Sequence, residues 1–310
     1  MINRALTRQK TLQVLYSHSR DEGRRLGSSL KMLQVSLDHG YELYLHMLAL
    51  LVDIRDFAER RAESQEMRAQ RLHEILEEQL PDRRLADNAL LLKLKENEAL
   101  QAFREKRREL WKVGDTLMKR LADLFVQSDL FKAYLEEAEQ TFERDAEIVR
   151  ELYKNLLTDN ADIDEMLEEN SIFWNDDRQV VDSFVLKTLR RFSANTQPDK
   201  PLLPQYEEGE GPEFGERLLT AAIKREDELR ELISQHVKGW DYERVALMDV
   251  LIMQLALAEI LTFPGVPLNV SLNEYISIAK AYSTPKSGLY VNGVLDAVVA
   301  ALKAEGKLLK

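Results

Sequence analysis

Cysteine is absent from this sequence of 310 residues, and glycine (12) and proline (8) are scarce. The lack of cysteine excludes disulfide bonds, thiolate metal sites and cysteine nucleophiles. Scarce glycine and proline, combined with plentiful leucine, glutamate, arginine and alanine, are typical of a mostly helical protein. No alternating strand pattern of any length is present. The sequence therefore predicts an all-α fold.

Signals for export and membrane insertion are also lacking. The N-terminus, MINRALTRQKTLQVLYS, has no long apolar stretch before a small-residue cleavage site, so we expect no signal peptide. Residues 245–263 are the most apolar stretch, but Asp249, Gln254 and Glu259 interrupt it. This pattern predicts a buried core helix rather than a membrane span.

Catalytic and metal-binding motifs are missing. The five histidines are scattered without ligand spacing, at positions 18, 39, 46, 73 and 236. There is no Walker A run and no nucleophile elbow, and EGEGPEFGE is too acidic to be a phosphate loop. We therefore expect no enzymatic activity, no cofactor and no metal.

The net charge of −11 is unevenly distributed. Residues 1–20 contain four Lys and Arg and no acid, whereas residues 214–310 contain 11 basic and 12 acidic side chains. The middle of the chain, 21–213, therefore carries −14. Because a protein this acidic is a poor general binder of polyanions, any contact with nucleic acid must use the basic N-terminus and selected loops.

Helical periodicity extends over most of the chain. It predicts a first helix at 3–19, a long helical region from 28 to 63 and helices from 90 to 192. The segment 193–213 holds four of the eight prolines and is the clearest linker. Near the C-terminus, Ser271 and Glu274 read as a capping box that opens a helix at 272–282. The last helix carries an apolar stripe of Tyr290, Val291, Val294, Leu295, Val298, Val299 and Leu302.

An internal similarity appears at a spacing of 66 residues. Residues 152–189 align without a gap with 218–255, which pairs Trp174 with Trp240 and Arg178 with Arg244. Apolar positions coincide as well, and loop residues match as well as periodic ones. The pattern favours a structural repeat, although any two amphipathic helices can be aligned to some extent.

A family resemblance rests on the two ends of the chain. The segment VLIMQLALAEILTFPGVPLNVSLNEYISIAKAYSTPKSGLYVNGVLDAV closely resembles the end of NusB proteins, and NRALTRQKTLQVLYS resembles their arginine-bearing first helix. The closing motif S-x-x-(F/Y)-V-N-G-V-L-D is specific. The resemblance indicates a NusB-like helical bundle formed by residues 1–19 and 206–310. Residues 20–205 would be an acidic helical insertion, and part of it would repeat the NusB helical unit.

The resemblance also implies a function. NusB proteins are not enzymes: they pair with NusE, a small-subunit ribosomal protein, and bind boxA RNA in RNA polymerase antitermination complexes on ribosomal RNA operons. Cytoplasmic localisation follows. Arg4, Arg8 and Tyr16 match positions of the family's RNA-facing first helix, Lys286 matches a position near that surface, and Lys280 lies just before it. These five are the predicted RNA-binding residues. The family's first helix usually carries more arginines than this one.

Other interpretations of these residues remain open. The polar segment between the last two helices could present its hydroxyls and Lys286 to RNA phosphates, or it could be a plain connection facing water. Tyr16 could stack on a base or lie in the core. At the level of function, the alternatives are a helical adaptor that has lost RNA binding and an RNA-modifying enzyme with a NusB-like domain. The second lacks support because no cofactor loop follows a strand.

Overall fold

The structure, a computed structural model, describes residues 2–23, 25–72, 82–107, 113–137, 139–171, 173–174, 176–237, 242–284 and 286–308. Over these ranges the chain is all-α, with no strand and a single isolated bridge between Ile2 and Tyr206. The all-α prediction is therefore confirmed. The α-helices are α1 Arg4–Arg20, α2 Leu26–Leu72, α3 Ala89–Glu96, α4 Glu98–Arg107, α5 Asp115–Gln127, α6 Asp129–Leu135, α7 Phe142–Leu152, α8 Ala161–Asn170, α9 Arg178–Leu189, α10 Glu213–Lys224, α11 Glu226–His236, α12 Leu247–Thr262, α13 Leu268–Tyr282 and α14 Ser287–Ala304.

The chain divides into two compact units. Unit 1 contains His39–Gln205, and unit 2 combines Ile2–Asp38 with Tyr206–Lys310. Residues 39–205 carry 25 Lys and Arg against 35 Asp and Glu, a net charge of −10, so unit 1 accounts for nearly all of the net charge of −11.

Unit 1 is built from α3–α9 and the part of α2 that begins at His39. A π-helical turn at Tyr153–Leu157 extends α7. In the interior of the unit, the hydroxyl of Tyr44 on α2 lies 2.7 Å from the hydroxyl of Thr188 on α9. Asn88 caps α3, because its side chain accepts from the backbone N–H groups of Leu90 and Leu91.

Unit 2 is organised around α12, which contacts α1, α10, α11, α13 and α14. Every residue from Asp249 to Ile260 is buried, which confirms the prediction of a central core helix. The described part of the chain contains one helix, α14, that is long and apolar enough to cross a membrane by composition alone. Its residues Val291, Leu295 and Val298 are fully buried in unit 2, as expected for a core helix.

One pair of helices agrees with the 66-residue similarity, whereas α9, shifted by 66 residues, spans 244–255 and overlaps only part of α12 at Leu247–Thr262. Helix α8 shifted by 66 residues spans 227–236 and coincides with α11. Ile163 and Leu229 are both fully buried, and so are Leu189 and Leu255. Trp240, the predicted counterpart of Trp174, lies outside the described residues.

The predicted capping box at Ser271 and Glu274 is wrong. Helix α13 begins at Leu268, directly after Pro267, so Ser271 lies within its first turns. The Ser271 hydroxyl donates to the Glu259 carboxylate at 2.7 Å instead of capping the helix. A Ser-x-x-Glu pattern is therefore satisfied here by a tertiary contact, which sequence spacing cannot distinguish from a cap.

Candidate nucleic-acid interface

Helix α1 places two of the predicted RNA-binding residues in different surroundings. The Asn3 side chain accepts from the Leu6 N–H at 2.9 Å and fixes the start of the helix. One turn apart, Arg4 is exposed and pairs with Glu210 at 2.7 Å, whereas only 3% of Arg8 is exposed. Both guanidinium groups lie over the ring of Phe214, at 5.2 and 5.4 Å from its centre.

Arg8 belongs to a buried polar network. Its Nε and Nη2 donate to the two carboxylate oxygens of Glu259 at 2.7 and 2.8 Å, and Glu259 is fully buried. The Tyr275 hydroxyl also donates to Glu259, at 2.9 Å. Burial opposes the charge of Arg8, but the hydrogen bond and the charge of Glu259 outweigh it and raise the pKa of the guanidinium. This bidentate pair holds α1 against α12, so the structure assigns Arg8 to the interior rather than to a phosphate-binding surface.

The second half of α1 lies beside the end of α13. Gln13 Nε2 donates to the Tyr282 hydroxyl at 3.3 Å. Tyr16 lies one turn further along α1, and 41% of it is exposed, so its ring is available for stacking. Lys280 precedes Tyr282 by two residues on α13, and side chains two residues apart point to different faces of a helix, so this contact does not bring Lys280 beside Tyr16.

Lys280 and Lys286 flank the start of α14. The aliphatic stem of Lys280 packs on Gly288, where an added Cβ would lie 2.8 Å from its Cγ. A glycine at this position therefore lets the lysine cross the helix closely and leaves Lys280 exposed. Lys286 is also exposed, immediately before α14. The two predicted lysines are thus solvent-accessible cations beside the same connection.

The hydroxyls of this connection are used inside the protein. Ser287 is buried, and its hydroxyl donates to Asp249 Oδ2 at 3.1 Å. The same hydroxyl lies 2.9 Å from the Thr284 hydroxyl and 3.0 Å from that of Ser283. The hydroxyl of Ser287 is therefore not available to RNA phosphates. It stabilises the loop that carries Lys286.

A cavity of about 660 Å³ opens next to Lys286. Its walls are mostly apolar, and 82% of Leu289 is exposed at its mouth. The cavity is lined by Arg244, Val245, Ala246, Asp249, Thr284, Lys286, Ser287, Leu289 and Tyr290. Its size is that of a small-molecule site.

Two polar atoms in the cavity wall lack hydrogen bonds. Asp249 Oδ1 and the Tyr290 hydroxyl are buried, and neither has a partner among the residues that the structure describes. Burial and the charge of Asp249 raise the pKa of Tyr290, so its phenol stays protonated at neutral pH. Sequence reasoning missed this site because Tyr290 reads as part of the apolar stripe, and Asp249 as an interruption of a core helix.

No metal site accompanies the cavity. Over the described ranges, His, Asp and Glu form no group of three that could hold a metal ion.

Comparison with known proteins identifies the family. The NusB family profile matches residues 185–300. A transcription antitermination protein NusB from Salinibacter ruber is 40% identical over 108 residues, which cover 35% of this chain and 68% of the relative. NusB of Symbiobacterium thermophilum is 36% identical over 122 residues, which cover 39% of this chain and 76% of the relative.

A third relative, NusB of Chloroherpeton thalassium, is 39% identical over 94 residues, which cover 30% of this chain and 44% of the relative. No solved structure matches the chain significantly. Since the two preceding relatives are matched over more than two thirds of their own length, the chain belongs to the NusB family of transcription antitermination factors, which are not enzymes, as the sequence indicated.

Proposed function

We propose that this chain pairs with NusE, a small-subunit ribosomal protein, and binds boxA-type RNA of ribosomal RNA operons within the RNA polymerase antitermination complex. Family membership supports the general role, because the relatives are named for transcription antitermination. Work on nascent RNA implies a cytoplasmic location. The observation that carries the RNA contact is the exposed pair Lys280 and Lys286 beside an apolar cavity.

The proposed RNA surface is narrower than the sequence predicted. We place Lys280 and Lys286, which are exposed beside the same connection, at its centre and add the half-exposed Tyr16 of α1 as a stacking residue. Arg4 lies at the opposite end of α1, twelve residues or about 18 Å from Tyr16. It could add a phosphate contact by exchanging its exposed partner Glu210, since such surface pairs contribute little. Arg8 is left out because its guanidinium is buried against Glu259.

We further propose that the NusB-like function belongs to residues 1–19 and 206–310, with residues 20–205 as the acidic insertion. The concentration of negative charge in residues 39–205 supports an acidic insertion that repels RNA, but it places the start of that insertion near His39, because residues 20–38 carry a net charge of +1 and belong to unit 2. The insertion would then keep RNA on the surface formed by α1, α13 and α14.

Salt dependence tests the RNA surface. If Arg4, Lys280 and Lys286 each neutralise one phosphate, the slope of log affinity against log salt should be about −2, from about −0.7 per contact. Lys286→Glu should weaken binding of all RNA sequences alike, because phosphate contacts carry no base information. The matched control is Lys303→Glu, the same charge change at an exposed position near the other end of α14.

Binding is measured by fluorescence anisotropy with boxA RNA, with and without NusE, at two salt concentrations. Equal affinities for the wild-type chain, Lys286→Glu and Lys303→Glu would refute the surface. Absence of NusE binding in calorimetry at high micromolar concentration would refute the partner.

One observation favours the second candidate, a helical adaptor that has lost RNA binding. Arg8 is buried and Arg4 is paired with Glu210, so α1 presents fewer available arginines than its sequence suggests. An adaptor of this kind would bind NusE normally and show no RNA affinity in the same titration.

A further inference from the structure

Another cavity, of about 430 Å³, lies within unit 1 between α2 and α4. Its walls carry three arginines, of which Arg60 belongs to α2 and Arg104 and Arg107 belong to α4. The cavity lies outside residues 185–300, which the NusB family profile matches, so family membership does not explain it. Its volume is that of a small-molecule site.

Most of the guanidinium donors in this cavity are unused. Arg104 donates from Nη2 alone, to Asp53 at 2.6 Å and to Asp56 at 2.9 Å. Arg107 donates from Nη2 to one carboxylate of α2. Arg60 is exposed and bonds to no acceptor among the residues that the structure describes. Guanidinium groups with unused N–H donors bind the oxygens of carboxylates and phosphates in pairs, so these walls suit an anion.

Aromatic side chains provide an uncharged surface beside these cations. Phe103 is half-buried on α4, and its ring lies 4.8 Å from the ring of His46, measured between centres. Burial lowers the pKa of His46 to about 3, so this second ring is neutral at neutral pH. Phe103 and Arg107 are four residues apart and therefore neighbours on the surface of α4. A flat ring that packs on Phe103 can thus carry an anionic group to the arginines.

Acidic residues limit which anions the cavity can accept. Asp53 and Glu105 also line it, but Asp53 is paired with Arg104, so the cations outnumber the free carboxylates. The net charge of −10 on residues 39–205 repels a long polyanion such as RNA. A small anion inside the cavity responds mainly to the nearby arginines, because salt screens charges beyond about 8–10 Å. The cavity therefore favours a small anion over a nucleic acid.

We infer that this cavity binds a mononucleotide, with its phosphate on the arginines and its base against Phe103. The forked donors of arginine match the oxygens of a phosphate monoester. Stacking on an aromatic ring accepts any base, because every base has a π-face. The inference concerns unit 1 alone and stands or falls independently of RNA binding by unit 2.

Calorimetric titration of the full-length chain with AMP tests the inference. Adenosine, which lacks the phosphate, and ribose 5-phosphate, which lacks the base, are the matched ligands. AMP should bind with a Kd below about 1 mM, and each of the other two should bind about tenfold more weakly or worse, because each loses one of the two contacts. The inference is overturned if AMP fails to bind at about 1 mM, or if either fragment binds as tightly as AMP.

Charge reversal locates the site. Arg60→Glu should weaken AMP binding about tenfold or more and leave the melting temperature nearly unchanged, since Arg60 bonds to no described residue. The matched control is Arg68→Glu, the same charge change at an exposed residue of α2 that does not line the cavity. Equal AMP affinities of the two variants would place the ligand elsewhere. If Lys286→Glu weakened AMP binding and Arg60→Glu did not, AMP would be assigned to the RNA surface of unit 2, and the inference would be wrong.

Phe103→Leu separates a contact with the base from a general loss of stability. It should lower the affinity for AMP to that for ribose 5-phosphate and leave the affinity for ribose 5-phosphate unchanged. A variant that bound both ligands more weakly by the same factor would show that Phe103 only supports the fold. That result would remove the base from the cavity and overturn the inference.

Discussion

Each unit contains a buried arginine, carboxylate and tyrosine in contact, but the two sets are assembled differently. In unit 1, Arg178 Nε lies 3.1 Å from both oxygens of Asp182, which also accepts from Tyr153 at 2.5 Å. Arg178 and Asp182 are four residues apart on α9. In unit 2, Arg8, Glu259 and Tyr275 come from α1, α12 and α13. The unit 1 set is largely local, whereas the unit 2 set joins residues that are 251 positions apart.

This difference in sequence separation determines what each set can hold together. The pair on α9 reinforces a helix that already exists, and Arg178 adds a bond to the Leu157 carbonyl. The pair between Arg8 and Glu259 fastens the N-terminal helix to the core helix of unit 2. Tyr16 is presented from α1, so the proposed RNA surface depends on a buried ion pair that does not touch RNA.

The repeat alignment sharpens the contrast at one position. Arg178 aligns with Arg244, yet Arg178 is buried, and Arg244 is exposed at the wall of the cavity. In unit 1 the aligned arginine, Arg178, forms a structural ion pair, whereas in unit 2 Arg244 is exposed to solvent. A ligand site of this kind is therefore expected in unit 2 and not at the aligned position of unit 1.

The largest effect is expected from breaking the long-range pair. Arg8→Ala should destabilise unit 2 by about 3–5 kcal/mol, because it leaves the charge of Glu259 buried without compensation. Hydrogen exchange should accelerate in peptides from α1 and α12 and stay unchanged in peptides from α8 and α9. Arg4→Ala is the matched control, since its pair is exposed and contributes about 0–1 kcal/mol. Equal effects of the two substitutions would contradict the role assigned to Arg8.

An intermediate effect is expected at the aligned arginines. Arg178→Ala should cost unit 1 about 2–3 kcal/mol, because Asp182 loses its cation but keeps the Tyr153 hydroxyl. Arg244→Ala should change stability by at most about 0.5 kcal/mol, since the residue is exposed, and should lower RNA affinity instead. Urea unfolding and RNA titration of both variants provide the comparison. If Arg244→Ala destabilised the protein more than Arg178→Ala, the functional contrast between the aligned positions would be refuted.

An effect that is small just below neutral pH and grows as the pH falls separates the units again. Burial, with a further contribution from the charge of His39, lowers the pKa of His46 in unit 1 to about 3. The unfolded chain takes up this proton below about pH 6.5. The burial of neutral His46 therefore costs no stability above about pH 6.5. Below that pH, the free energy of unfolding falls by about 1.4 kcal/mol for each pH unit until the pH approaches 3.

His46→Phe removes this titration and serves as the reference. Hydrogen exchange of unit 1 peptides should show that the wild-type chain loses stability relative to the variant as the pH falls. A difference that does not depend on pH between 7 and 4 would show that His46 takes up its proton at the same pH in the folded and the unfolded chain.

Local patterns in the sequence predicted the helices well. Periodicity and the lack of glycine and proline indicated the all-α fold, the core helix α12 and the break at 193–213, of which the structure leaves residues 193–212 without a helix. These features depend on neighbours within a few residues, so the sequence alone expresses them. The family resemblance, carried by the C-terminal motif, is confirmed by the comparisons.

The candidate site was predictable only in part. Lys280 and Lys286 are exposed beside the same connection, as the resemblance implied, and their role in RNA binding stays a prediction. Arg8 reads as a surface cation because nothing within a helical turn of it is acidic. Its partner Glu259 becomes available only when α1 packs on α12.

Composition and periodicity by themselves determined that this chain is helical, which faces of its helices are apolar and where its negative charge accumulates. Tertiary structure alone decided which charges are buried, which hydroxyls are consumed inside the protein and where a cavity remains. The physical reason is the separation along the chain between the residues that interact. Helix formation is governed by residues three and four apart, whereas the burial of Arg8 and the open acceptor on Asp249 depend on side chains brought together from distant parts of the chain.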